Sequence, residues 1–250
     1  MKFQSPRESP KDLQAKAESH WEVALKLASP LLSRVDETNS AALYLFATLT
    51  CVHTFAFGPR PGELLLFNVD GPSEWLTFFR GIRSIEEACG LSTARDGELR
   101  LLFSLSRTDL KGASADDLEA ALQEALEDVN LVITENIDEG TQEYLILVEA
   151  FQLLRGCYVS VFNQLAQASA HTIFSWLHHV SDDYLSLVQK KHPVALVIFA
   201  YFVVLIKRME AAWMIKGWPN HLISGIHACM PATKRFWLRW PMARIGWLPA

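Results

Sequence analysis

His192-Pro193-Val194-Ala195-Leu196-Val197-Ile198-Phe199-Ala200-Tyr201-Phe202-Val203-Val204-Leu205-Ile206-Lys207 is the most apolar stretch of the chain. Pro193 sits where a first helical residue is tolerated, because its missing N–H has no helical partner there. From Val194 to Ile206 no side chain is charged, and apolar groups recur on every face of a helix. A helix apolar all round belongs in the middle of a bundle. The run rises only about 20 Å, against the roughly 30 Å of a bilayer core, so it is expected to be buried and not to span. The helix is expected to reach Ile215 and to stop at Gly217.

Working outward, the neighbouring segments carry helix punctuation and few strand signals. Ser9-Pro10 opens a helix whose stripe is Leu13, Ala17, Trp21, Ala24, Leu27/Ala28, Leu31 and Val35, with Pro30 set to kink or divide it. Ser40 to Phe57 reads as a second helix ended by Gly58, uncharged but diluted by Thr48, Thr50, His53 and Thr54. It too is expected to be buried, so no membrane span is expected. Pro72-Ser73 opens a third helix with Trp75, Phe78/Phe79, Ile82, Ile85 and Cys89 inward, and Leu101 to Ser106 is a short strand or helix. Ser114 starts a helix through Leu118, Leu122, Leu126 and Val129; Thr141 starts one running into Phe162 and Leu165; Ser181 caps another. Pro219 and Pro231 each begin a short helix before a loose end at Pro241 to Ala250. The expected fold is all-α: a single irregular multi-helix domain around a central apolar helix at about 193–215. Its parts are a flexible N-terminus at 1–10, a helical domain at 11–241 and a C-terminal tail at 242–250.

Composition fits one folded domain. The chain has 250 residues, half of them hydrophobic and 20% charged, which is not the signature of disorder. The net charge of −5 argues against a surface devoted to nucleic acid. Charge is uneven, however: Lys207 to Ala250 carries seven basic residues and one acid, a net of +6, which leaves −11 on the rest. Ten acids and no bases lie between Ala113 and Glu143, either a solvated amphipathic helix with its loop or an acidic surface for a partner. Cys51, Cys89, Cys157 and Cys229 are too scattered for a zinc cluster or a disulfide framework, and a reduced compartment is expected.

Catalytic motifs are missing: there is no HExxH, GxSxG, P-loop or GxGxxG. Asp182 and Asp183 are adjacent and point about 100° apart on a helix, which suits capping and not paired acid–base work. His221, His227 and Cys229 have ligand chemistry but no carboxylate nearby in sequence, so no metal and no cofactor are expected. Five of the eight tryptophans follow residue 212, interleaved with Lys234, Arg235, Arg239 and Arg244. That mixture suits core packing, a ligand wall or interface, or a nucleic-acid surface; the helical spacing of Phe236, Trp237 and Trp240 favours the first.

His192-Pro193-Val194-Ala195-Leu196, Ala200-Tyr201-Phe202, Trp213, Gly217-Trp218, His221-Leu222-Ile223, Trp237 and Trp240-Pro241 together resemble the C-terminal end of the effector domain of fungal zinc-cluster transcription factors. Within them the pattern looks like the sterol uptake control proteins. Upstream, Ala17, His20, Ala24-Leu25, Asn39-Ser40-Ala41-Ala42-Leu43, and Trp75 with Arg80-Gly81-Ile82-Arg83 resemble the middle of the same domain. That family reads DNA through six cysteines and two zinc ions near the N-terminus, which this chain lacks. No DNA-binding residue and no direct nucleic-acid contact are therefore expected. Such relatives carry further helices before the segment matching Lys11 to Val35. The chain is expected to be a fragment of a larger regulator, or a short relative whose pocket is completed differently or by a second subunit.

The resemblance implies an all-helical regulatory domain, a homodimer or a heterodimer with a related regulator, and a nuclear location, with the cytoplasm as the alternative. It also implies a hydrophobic small molecule such as a sterol as ligand. The candidate wall is Phe199, Phe202, Val203, Trp213, Met214, Trp218 and Ile223, with Gly217 allowing close backbone approach. Two other functions stay open. One is a secondary-metabolism enzyme built on the same apolar pocket, with His192, His221 or Tyr201 converging on it. The other is a dimerisation scaffold, marked by an exposed apolar patch.

Overall fold

A computed structural model describes residues 9–68, 71–89, 115–163 and 170–249. The fold is all-α, with ten α-helices among the described residues: α1 (Pro10–Ala28), α2 (Ser40–Phe57), α3 (Glu74–Cys89), α4 (Ala115–Asn136), α5 (Gln142–Asn163), α6 (Ala170–His179), α7 (Asp182–Gln189), α8 (Pro193–Lys207), α9 (Trp218–Cys229) and α10 (Arg239–Ile245). A 3-10 helix, Ala232–Leu238, joins the last two. A two-residue hairpin, β1 (Phe67–Asn68) against β2 (Gly71–Pro72), pairs Phe67 with Pro72 and precedes α3. Leu101 to Ser106 and the Ser114 cap lie outside the described residues.

The capping residues perform as their chemistry dictates. Ser9 and Asp12 form a reciprocal capping box at the head of α1. Ser73 Oγ accepts from the Leu76 N–H (3.2 Å), Thr141 Oγ1 from Tyr144 (3.1 Å) and Ser181 Oγ from Tyr184 (3.2 Å). At α8, His192 Nδ1 accepts from the Ala195 N–H at 3.5 Å, and Pro193 follows as expected.

Every residue from Val194 to Ile206 is buried, and α8 is the axis of the molecule. Helices α4, α5, α7, α9 and α10 and the 3-10 helix all pack on it. Two buried tyrosines tie its backbone to the surround: Tyr158 of α5 donates to Tyr201 O (2.7 Å) and Tyr184 of α7 donates to Ala195 O (3.0 Å). A smaller cluster of Ala28, Leu43, Tyr44 and Ile85 holds the end of α1 to α2 and α3.

Three expectations need correction. Helix α8 does not reach Ile215 but ends at Lys207, after which residues 208–217 form successive turns with bonds such as Ala212 N to Met209 O and Ile215 N to Ala212 O. Glu210, the one acid after Asp183, pairs with Lys207 and accepts from the Gly217 N–H at 3.4 Å, gathering the segment into a compact corner. The tail boundary at Pro241 falls inside α10, where Ile245 is buried, and Trp247 beyond it meets the His227 ring at a tilt with centroids 5.3 Å apart. At the other end, Ser9 and Pro10, assigned to a flexible terminus, cap and begin α1, which stops at Ala28 before Pro30.

By length and composition, Ser40–Phe57 and Gln142–Val161 are apolar enough to cross a membrane, and α7 with α8 would be a third such element if their 104° bend were one span. The central run thus qualifies only when joined to its neighbour.

Candidate functional site

The sequence singled out eight residues as an apolar wall. Five of them, Phe199, Phe202, Val203, Trp218 and Ile223, are fully buried where α8 meets α9. Phe199 stacks on Phe202 with ring centroids 6.5 Å apart, and Phe202 lies 4.6 Å from Trp176 and 6.3 Å from Phe174. The Trp218 indole N–H donates to Phe55 O at 3.1 Å, and the two rings meet edge to face at 5.1 Å. Gly217 caps α9 with φ +86°, a left-handed conformation that favours glycine. Its role is thus a backbone turn that delivers Trp218 into the core. Met214 is half-buried against that core.

Trp213 is 69% exposed and is no part of the wall. Its placement there assumed an unbroken helix past Lys207. The turns after that residue change the phase of the chain, burying Met209 and Ile215 and pointing Trp213 outward.

Sequence reasoning placed Trp75 and Phe79 inward but assigned none of the aromatic residues that complete the centre to the candidate site. Phe55 from α2, Trp75 and Phe79 from α3, and Phe174 from α6 join Trp176, Phe202 and Trp218 in one chain of ring contacts. Trp75 is 2% exposed, stacked on Phe79 at 4.9 Å, and its indole N–H meets no hydrogen-bond acceptor among the described residues. A buried unpaired donor is destabilising by about 1–3 kcal/mol, so it marks a place where an oxygen would be welcome. The advance signal was the inward stripe of the third helix, which put Trp75 and Phe79 in the core without connecting them to the central helix.

The titratable groups proposed for catalysis are engaged separately. His192 Nε2 lies 3.1 Å from Glu143 Oε1, and burial holds its pKa below the usual histidine value although Glu143 opposes the shift. His221 Nε2 is 2.7 Å from Glu63 O. Tyr201 is buried and stacked on Trp240 at 4.9 Å, and burial, reinforced by Asp128, pushes its phenol up. No group of three or more metal-ligating side chains occurs among the described residues.

Among the described residues, two clefts away from this centre stand out. One, of about 550 Å³ between α3 and α7, is lined by Ser73, Thr77, Arg80 and Ser186, with Arg80 donating to Val180 O (2.6 Å) and paired to Asp182 (3.4 Å). The other, about 420 Å³, lies between Glu124 and Asp128 of α4 and Trp240 and Arg244 of α10, with Arg244 over the Trp240 ring at 5.4 Å. None of the eight wall residues lines either.

The fold and the buried aromatic centre define an all-helical protein built around an apolar central helix. The chain matches no family model, no curated protein and no solved structure.

Proposed function

We propose that the chain is a regulatory effector module of the zinc-cluster transcription-factor type, acting through protein contacts and responding to an apolar, sterol-like ligand. The observation that supports this reading is the meeting of the motif residues around one helix. His192 and Pro193 start α8, Tyr201 within it stacks on Trp240, Gly217-Trp218 turns the chain onto it, and His221 of α9 holds Glu63. Residues scattered over about 50 positions of sequence thus share one structural task.

A sterol losing about 400 Å² of apolar surface gains roughly 10 kcal/mol before the cost of association. The wall residues are packed against one another, so the ligand acts by population shift, favouring a packing in which α9 parts from α8. Trp75 Nε1–H is the donor available to a ligand oxygen. The module takes no cofactor and makes no direct contact with nucleic acid; its partner is a second copy or a related regulator, in the nucleus.

The test is titration with a fluorescent sterol, read by energy transfer from the tryptophans. Saturable transfer that unlabelled sterol reverses, weakened at least about tenfold (about 1.4 kcal/mol) in a folded Trp75→Phe variant, supports the reading. Absence of saturable transfer overturns the ligand-sensing part. A dimerisation scaffold is the second reading, favoured by the exposed leucines of α1 and its following turn.

A further inference from the structure

Helix α1 is the least integrated element of the described fold. All of residues 11–20 are exposed, Trp21, Ala24 and Leu25 are half-buried, and of residues 11–28 only Ala28 is fully buried. Trp21 stacks on His53 of α2 at 5.2 Å, and Ala28 packs beside Leu43 and Tyr44. These contacts use one stripe of the helix. Helical stability in proteins comes mainly from packing an amphipathic face, and α1 of 19 residues packs little of its own beyond the capping box at its head.

A second stripe, exposed along its length, lies beside the first. Leu13, His20 and Leu27 recur every seven residues with Lys16 and Val23 between them, the spacing of a coiled-coil seam. Leu13 is 54%, Val23 54% and Leu27 69% exposed, and Leu31 and Leu32 extend the apolar surface past the helix end. We propose that this seam is a self-docking surface, on which α1 of a second copy of the chain packs antiparallel about a twofold axis near Ser19 and His20.

Charge and size select that occupant. In the antiparallel arrangement Leu13 of each copy covers Leu27 of the other, Lys16 lays its aliphatic stem over Val23, and Asp12 comes beside Lys26. A parallel pair would instead set Lys16 against Lys16 in the seam. Ala17 and Ala24 border the seam on the side of α2, which leaves room for the second helix. The antiparallel arrangement is isologous and closes at two chains. This inference rests on α1 alone and stands independently of the ligand-sensing reading.

Sedimentation equilibrium of the full chain should give twice the 28.2 kDa mass at about 50 µM. Leu27→Asp should raise the dimer dissociation constant at least about tenfold with unchanged helical circular dichroism, and Glu22→Ala, off the seam, should leave it unaltered. A mixture of Leu13→Cys and Leu27→Cys chains, which keep the native helix, should form a mixed cross-link with a short bismaleimide that Leu13→Cys alone does not. A 28.2 kDa species throughout, a dimer indifferent to Leu27→Asp, or a cross-link between two Leu13→Cys chains at that position would overturn the proposal. So would a monomer that floats with phosphatidylcholine vesicles, which would assign the seam to lipid.

Discussion

Gly225 lies inside α9, where a Cβ would stand 2.2 Å from Leu64 Cδ2. Leu64 is 2% exposed, so its side chain has to turn within a packed core to admit the methyl group. Gly225→Ala is expected to lower stability by about 1–3 kcal/mol through overpacking, although alanine is the better helix former, and urea denaturation measures it. The two core tryptophans invite a paired comparison. Trp218 donates to Phe55 O, whereas the Trp75 indole N–H has no acceptor among the described residues. Trp218→Phe should therefore cost about 1 kcal/mol more than Trp75→Phe, because the first removes a made hydrogen bond, leaving Phe55 O with the Gly58 N–H alone, and the second removes a stranded donor. Equal losses would show that ring volume alone matters at both positions.

At the scale of the element, α8 shows how a helix start becomes sensitive to acid. His192 Nδ1 accepts the Ala195 N–H, which requires an unprotonated Nδ1, while Nε2 faces Glu143. Burial lowers the pKa of the ring, Glu143 raises it and Lys234 lowers it, with burial the largest influence. As pH falls below the ordinary histidine value of about 6.5, the unfolded chain takes up a proton that the folded chain resists, so stability declines. His192→Asn keeps a capping acceptor and removes the titration. It should flatten the stability–pH curve between about pH 7 and 5 relative to the parent, and His192→Ala should cost about 1 kcal/mol at pH 7. The start of α8 was legible because Pro193 and an unbroken apolar run leave few alternatives. Its end was not, because Met209, Trp213, Met214 and Ile215 continue an apolar pattern while the decisive contacts, Glu210 to Lys207 and to the Gly217 N–H, are made only once the corner has folded. The 3-10 geometry of Ala232–Leu238 was likewise hidden, since i,i+3 and i,i+4 stripes share most of their residues.

At the scale of the molecule, the main core is one continuous cluster that runs from Phe55 and Trp75 through Phe202 to Trp218 and Ile245, and α8 touches most of its walls. Half of the candidate site was visible as the apolar face of α8 and the start of α9. The other half comes from α2, α3 and α6, which no spacing rule connects to α8, because ring contacts between distant helices are set by tertiary packing. Continuity has a mechanical consequence. Phe202→Ala, at a residue with no exposed surface, removes contacts to Phe174, Trp176 and Phe199 together and should cost about 3–5 kcal/mol. The loss should appear at one denaturant midpoint whether followed by tryptophan fluorescence or by helical circular dichroism, because α8 couples the surrounding helices into one cooperative unit. Amide exchange should separate the periphery from that unit. Residues 11–20 of α1, exposed along their length, should exchange well before Val194 to Ile206 in the parent and the variant alike. Separate midpoints for the two probes would show instead that the α1–α3 cluster around Tyr44 and Ile85 unfolds on its own.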